Sequence, residues 1–183
     1  FGLVVIWLAM VSWFDIRKSE IPHSAWVIIP IILAGTYQIW QGGWPLVLLT
    51  AFVVVVSERE RISILFQMNE LGRIITWLPL LFLGAFFAVQ LSPIAALAII
   101  GFWAAWELKW WGGADAVSAI TVCLIWPGMS FIVSFLVIHF IVVIASGLVS
   151  MIREQKIKLH RLPGLPILLA SVLILKVGII FLG

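Results

Sequence analysis

Long apolar runs alternate along this chain with short breaks, and the breaks are of two kinds. A helix that crosses a bilayer needs about 20 largely apolar residues, roughly 30 Å at about 1.5 Å per residue. By that measure the pattern predicts helical spans near 1–14, 25–40, 44–57, 74–90, 93–107, 114–126, 128–152 and 165–182, the third and sixth being short. The breaks at 41–45, 91–93 and 126–128 are brief, uncharged and rich in Gly, Pro and Trp, as tight interfacial turns are. The other breaks carry Arg17 and Lys18; Arg59, Arg61 and Arg73; Lys109; and Arg153, Lys156, Lys158 and Arg161, ten of the eleven Lys and Arg residues. Charged and neutral breaks alternate strictly. The positive-inside rule then puts the charged breaks in the cytoplasm and the N-terminus outside.

Composition sets the solvent. The chain of 183 residues is 64% hydrophobic and 10% charged, with a mean hydropathy of +1.23. A soluble core of this length cannot bury so much apolar surface, so lipid must meet most of it. The expected fold is all-α: a polytopic transmembrane bundle of about eight spans, with six as the alternative count, forming a single membrane domain over 1–183 in the cell membrane. The net charge of +3 and pI near 9.4 are explained by membrane orientation, and no nucleic-acid partner is expected. Cys123 is the only cysteine, which excludes an internal disulfide and a cysteine-based zinc site. The opening run reads as a mature span, since no small-residue cleavage site precedes the first polar break. Segment 57–73 mixes Ile62, Leu65, Phe66 and Met68 with charges, a pattern suited to an interfacial amphipathic helix or a plain connector. Lys176 reads as an outward-snorkelling side chain.

Two polar islands hold the candidate chemistry: Trp13-Phe14-Asp15-Ile16-Arg17-Lys18-Ser19-Glu20-Ile21-Pro22-His23 and Trp110-Trp111-Gly112-Gly113-Ala114-Asp115-Ala116. Four predicted crossings separate Asp15 from Asp115, an even number, so both fall on the cytoplasmic side and topology lets them meet. Peptide hydrolysis by such a pair needs one ionised carboxylate to take a proton from water. The other must be protonated, to polarise the carbonyl and later help the amine leave. Proximity enforces that state, because like charges a few ångströms apart do not both ionise and the pair shares a proton. Gly112 and Gly113 allow a sharp turn and the approach of an extended peptide, and Ile21-Pro22 fixes the start of the next helix. The plain alternatives are an N-cap role for Asp115 and an ordinary solvated charge for Asp15. Glu107 and Lys109 flank the second island and pair with each other or with substrate; His23 reads as interfacial. His139 reads as an interhelical hydrogen-bonding residue, and Ser130, Ser134, Ser146 and Ser150 as close-packing positions on the seventh span. No Gly-x-Ser-x-Gly, His-Glu-x-x-His or phosphate loop is present, so no cofactor and no metal are expected.

Phe14-Asp15-Ile16-Arg17 followed by Ile21-Pro22, with Gly112-Gly113-Ala114-Asp115 opening a later span, resembles the type IV prepilin peptidase family. The similarity is greatest to its compact archaeal preflagellin and prepilin peptidase branch. The resemblance covers roughly 12–26 and 110–126. It implies a membrane-embedded aspartyl endopeptidase that removes basic leader peptides from pilin-like or flagellin-like precursors at the cytoplasmic face. Asp15 and Asp115 would be the catalytic pair, and Gly112, Gly113 and Ala114 the turn that presents the second acid. The chain has His23 where the family often has Asn, Val117 where it often has Lys, and four predicted crossings between the acids where compact members usually have two. It lacks the cysteine-rich insert of many bacterial relatives, so the resemblance implies peptidase activity alone. Two rival readings stand beside it: a cation- or proton-coupled transporter, since intramembrane acids are functional by default, and a non-catalytic assembly subunit.

Overall fold

Each apolar run read from the sequence contains a helix among the described residues. The computed structural model describes residues 1–18, 28–57, 70–154 and 164–182, and these form eight helices and no strand. They are α1 Gly2–Lys18, α2 Ile29–Trp40, α3 Trp44–Ser57, α4 Glu70–Leu91, α5 Pro93–Glu107, α6 Gly113–Ile125, α7 Met129–Glu154 and α8 Gly164–Leu182. Among the described residues one stretch, Met129–Val149 of α7, is long and apolar enough to cross a membrane; the other apolar helices are shorter. Pro at the first turn starts α5, where a missing N–H costs nothing and the fixed φ suits a helix.

The central element is α6. It packs against α2, α3, α5 and α8, and every side chain from Ala116 to Leu124 is buried. Around it α2 meets α3, α3 meets α5, α5 meets α7, and α7 meets α8; α1 lies on α8, and α4 lies outside α3 and α5. Close approach of α3 and α4 depends on Gly84, where an added Cβ would come within 3.1 Å of the Leu49 Cα. An aromatic spine runs through the bundle from Trp126 to Phe131 and Phe135, then to Phe102 and Trp111. Among the described residues Phe135 is the largest fully buried side chain, and it fills the space between α5 and α7.

Four contacts gather the neutral turns and the N-terminus at one end. Ser92 Oγ donates to the Pro127 carbonyl oxygen at 3.0 Å, tying the α4–α5 turn to the α6–α7 turn. Trp44, opening α3, lies 5.8 Å from Phe87 near the end of α4, which brings the α2–α3 turn to the same end. Phe1 lies 5.8 Å from Trp126, and the Lys176 ammonium sits 5.3 Å from the Phe1 ring centre, so the N-terminus is there too. The opposite end therefore holds the last turn of α1, the α5–α6 turn and the first turn of α8.

Four local expectations need correction or placement. The sharp turn after α5 is made at Lys109, whose φ is +58°, whereas Gly112 has φ −69° and ψ 147°, values open to any residue. Trp110 N–H bonds to Ala105 O and Lys109 N–H to Trp106 O, both at 2.9 Å, a Schellman closure with Lys109 in its left-handed position. Ser130 and Ser134 are exposed, because the buried stripe of α7 runs through Ile132, Phe135 and His139 instead. The α1 helix does not stop at residue 14 but continues to Lys18, carrying Asp15 on its last turn. Ile21, Pro22 and His23, and the 58–69 part of the amphipathic segment, lie outside the described residues.

Candidate active site

On α1 the buried face is Leu8, Val11 and Ser12, and Asp15 continues that stripe one turn further on. Asp15 is half-buried, and its Oδ2 is closed off from solvent. The opposite side carries Leu3, Ile6, Met10 and Trp13, all exposed, and the Arg17 guanidinium lies 4.2 Å from the centre of the Trp13 ring. Arg17 is thus turned to the outer surface by a cation–π contact. Asp15 belongs to the inward face, which is not the position of an ordinary solvated charge.

Asp115 lies in the first turn of α6, but the N-cap is Gly112, which has no side chain to cap with. Gly113 opens the helix with the Trp106 ring packed against it: a Cβ there would meet the indole at 3.0 Å. Ala114 is half-buried between them, and Val117, two positions past the acid, is buried. The second island therefore turns tightly against the end of α5 and delivers Asp115 to the start of the central helix.

What the sequence pattern does not show is the third contributor. Gly164, the first residue of α8, lies directly against the Asp115 carboxylate: a Cβ at Gly164 would fall 2.5 Å from Asp115 Cγ and 2.6 and 2.7 Å from its two oxygens. The α1 helix runs antiparallel to α8, with Phe1 beside Lys176. Asp15 is fourteen residues beyond Phe1 and Gly164 twelve before Lys176, so equal helical rise puts them within about 3 Å of the same height. Both aspartates therefore sit at one end of the bundle, Asp115 against the start of α8 and Asp15 at about the same height on α1. The signal in the sequence was a lone Gly beside Pro163 at the head of an apolar run, which marks a helix start and no more.

Deeper in the bundle His139 joins α7 to α8. Ser171 Oγ donates to the Ile167 carbonyl oxygen at 2.8 Å, which leaves it to accept from His139 Nδ1 at 3.1 Å. His139 Nε2 is buried without a hydrogen-bond partner, and Trp111 meets the ring edge-on at 5.0 Å. His139 thus makes the interhelical bond expected of it. Among the described residues no group of three or more His, Cys, Asp or Glu is placed to hold a metal ion.

Comparison with family models, curated proteins and solved structures gives no match to this chain.

Proposed function

We propose that the chain is a multi-pass membrane aspartyl endopeptidase of the type IV prepilin peptidase kind. In this reading it cuts basic leader peptides from pilin-like or flagellin-like precursors at the cytoplasmic face. The observation that carries the reading is the placement of Asp15 and Asp115, a hundred residues apart in sequence, on inward-facing positions at the same charged end of one helical bundle. Lipid is the solvent that suits the outer surface: Leu3 is 84% exposed, Trp40 81% and Phe82 73%, an arrangement that water would not tolerate over so much of a monomer. Helices shorter than a bilayer's hydrocarbon core fit this picture where protein encloses them, as it does α6, and elsewhere by local thinning of the bilayer. The apolar helix of a precursor would partition beside the spans. Its basic leader would stay in the cytoplasm, putting the junction next to the acids.

Co-expression with pilin-like precursors tests the reading. Asp15→Asn and Asp115→Asn should each abolish cleavage while the protein still accumulates in the membrane, because water activation needs both carboxylates and insertion needs neither. Residues that act as a unit lose nearly everything singly, so either variant keeping more than about 1% of activity would sink the assignment. Lost ion flux in place of lost cleavage would favour a transporter.

A further inference from the structure

A buried histidine stands where α7, α8 and the α5–α6 turn meet, at a place where an apolar residue would pack at lower cost. His139 lies among rings: Trp111 is edge-on at 5.0 Å and Phe135 lies at 5.7 Å, while Phe102 stacks on Trp111 at 5.2 Å. Its Nε2 is buried with no hydrogen-bond partner, a cost that phenylalanine in the same place would not carry. What phenylalanine lacks is the bond to α8. Ser171 has one hydroxyl proton and gives it to the Ile167 carbonyl oxygen at 2.8 Å, so it can only accept from His139, at 3.1 Å. The ring is therefore the tautomer with its proton on Nδ1.

Ser171 and Gly164 are two helical turns apart and so share one face of α8, about 10 Å from each other along its axis. Gly164 meets the Asp115 carboxylate, and Ser171 meets His139. Trp111 closes the circuit, since it immediately precedes the N-cap Gly112 in the turn that leads into α6. The start of α6 is thus joined to α8 twice: directly at Asp115, and through Trp111, His139 and Ser171. We propose that His139 is a positioning residue: its Nδ1–H bond to Ser171 and its contact with Trp111 fix the rotation of α8, and with it the seat of Asp115 against Gly164. The consequence for catalysis rests on the peptidase reading; the tie between the helices does not. The apolar contacts of α8 are non-directional, whereas a hydrogen bond weakens steeply with angle. With Cα atoms about 2.3 Å from the helix axis, a rotation of about 20° carries Gly164 by about 0.8 Å. The seat is close enough for that to matter, since a Cβ at Gly164 would lie 2.5 Å from Asp115 Cγ.

Removing both partners separates this role from plain stability. Ser171→Ala leaves the buried Nδ1–H orphaned and should lower the melting midpoint, whereas Ser171→Ala combined with His139→Phe removes both ends of the bond and should bring the midpoint back near that of the parent protein. Cleavage should not follow it back. In the double variant kcat should stay about 10- to 100-fold below the parent with KM little changed, the loss expected for a displacement near 1 Å. Thr50→Ala removes a buried hydroxyl whose bond is to Leu46 of its own helix, and should leave kcat in place. NMR of the protein in lipid nanodiscs tests the tie without a substrate. The chain has three histidines and two aspartates, so nitrogen-15 histidine and carbon-13 aspartate labels give few signals, assigned with His139→Phe and Asp115→Asn. His139 should carry its proton on Nδ1 alone, and the Asp115 carboxyl signal should move in the double variant and hold still in Thr50→Ala. A proton on His139 Nε2 overturns the proposal, as does a double variant whose Asp115 signal or kcat equals the parent's. Should the double variant not fold, the same measurements on Ser171→Ala take its place. If the parent cuts no precursor the peptidase reading fails, and the histidine proton and the Asp115 signal decide the tie between the helices by themselves.

Discussion

Buried hydroxyls in this bundle divide into two groups, and the division predicts what their removal does. Thr50, Thr121 and Ser171 each donate to the carbonyl oxygen four residues earlier, at 2.8 Å. Ser12 and Ser118 are as deeply buried, yet their hydroxyls have no partner in the structure. Each lies three residues from an aspartate, Ser12 before Asp15 and Ser118 after Asp115, one turn deeper into the bundle. A buried hydroxyl without a partner costs about 1–3 kcal/mol, so its deletion is neutral or favourable. Ser12→Ala and Ser118→Ala should therefore leave the thermal midpoint in detergent unchanged or raise it. A clear fall would mean that internal water supplies the partner, one turn beneath the site.

At the scale of elements, the turn between α5 and α6 is the part whose conformation the motif concealed. Gly-Gly draws attention to 112 and 113, but the left-handed residue is Lys109, where a side chain costs about 1 kcal/mol relative to glycine. Lys109→Gly should raise stability by about that amount, seen as an upward shift of the melting midpoint, and should leave cleavage intact because the Schellman bonds are retained. An unchanged or lower midpoint would show that the lysine makes a compensating contact. Gly113 also has a packing reason that its motif does not show: it admits the Trp106 ring beside the start of α6.

For the whole molecule, the alternation of charged and neutral turns becomes a physical separation of two ends. Cysteine labels at Arg17 and Lys109 should react only from the cytoplasm, and labels at Gly43 and Gly128 only from outside. Reaction of Arg17 and Lys109 positions from opposite sides would rule out a shared aspartate site. A pair that shares one proton also gives a bell-shaped dependence of cleavage rate on pH: activity is lost at low pH as the ionised acid is protonated and at high pH as the second proton leaves. A rate that rises to a plateau with a single limb would point to one titrating acid instead of two.

How far the sequence reaches differs between fold and site. The eight helices of the described residues followed from the apolar runs, though not all their ends, as α1 and α4 show, because a helix satisfies its own backbone and needs only an apolar stretch between turn residues. That Asp15 and Asp115 lie toward one end of the bundle was equally readable, since an even number of predicted helices separates them. Tertiary structure alone decided that α6 is the central helix, that Asp15 extends the buried stripe of α1, and that Arg17 faces outward. It also decided that the carboxylate of Asp115 meets Gly164, a residue 49 positions away whose only sequence mark is the absence of a side chain. Periodicity describes the faces of one helix at a time. Which faces meet depends on packing complementarity among many side chains, a long-range property that no local pattern encodes.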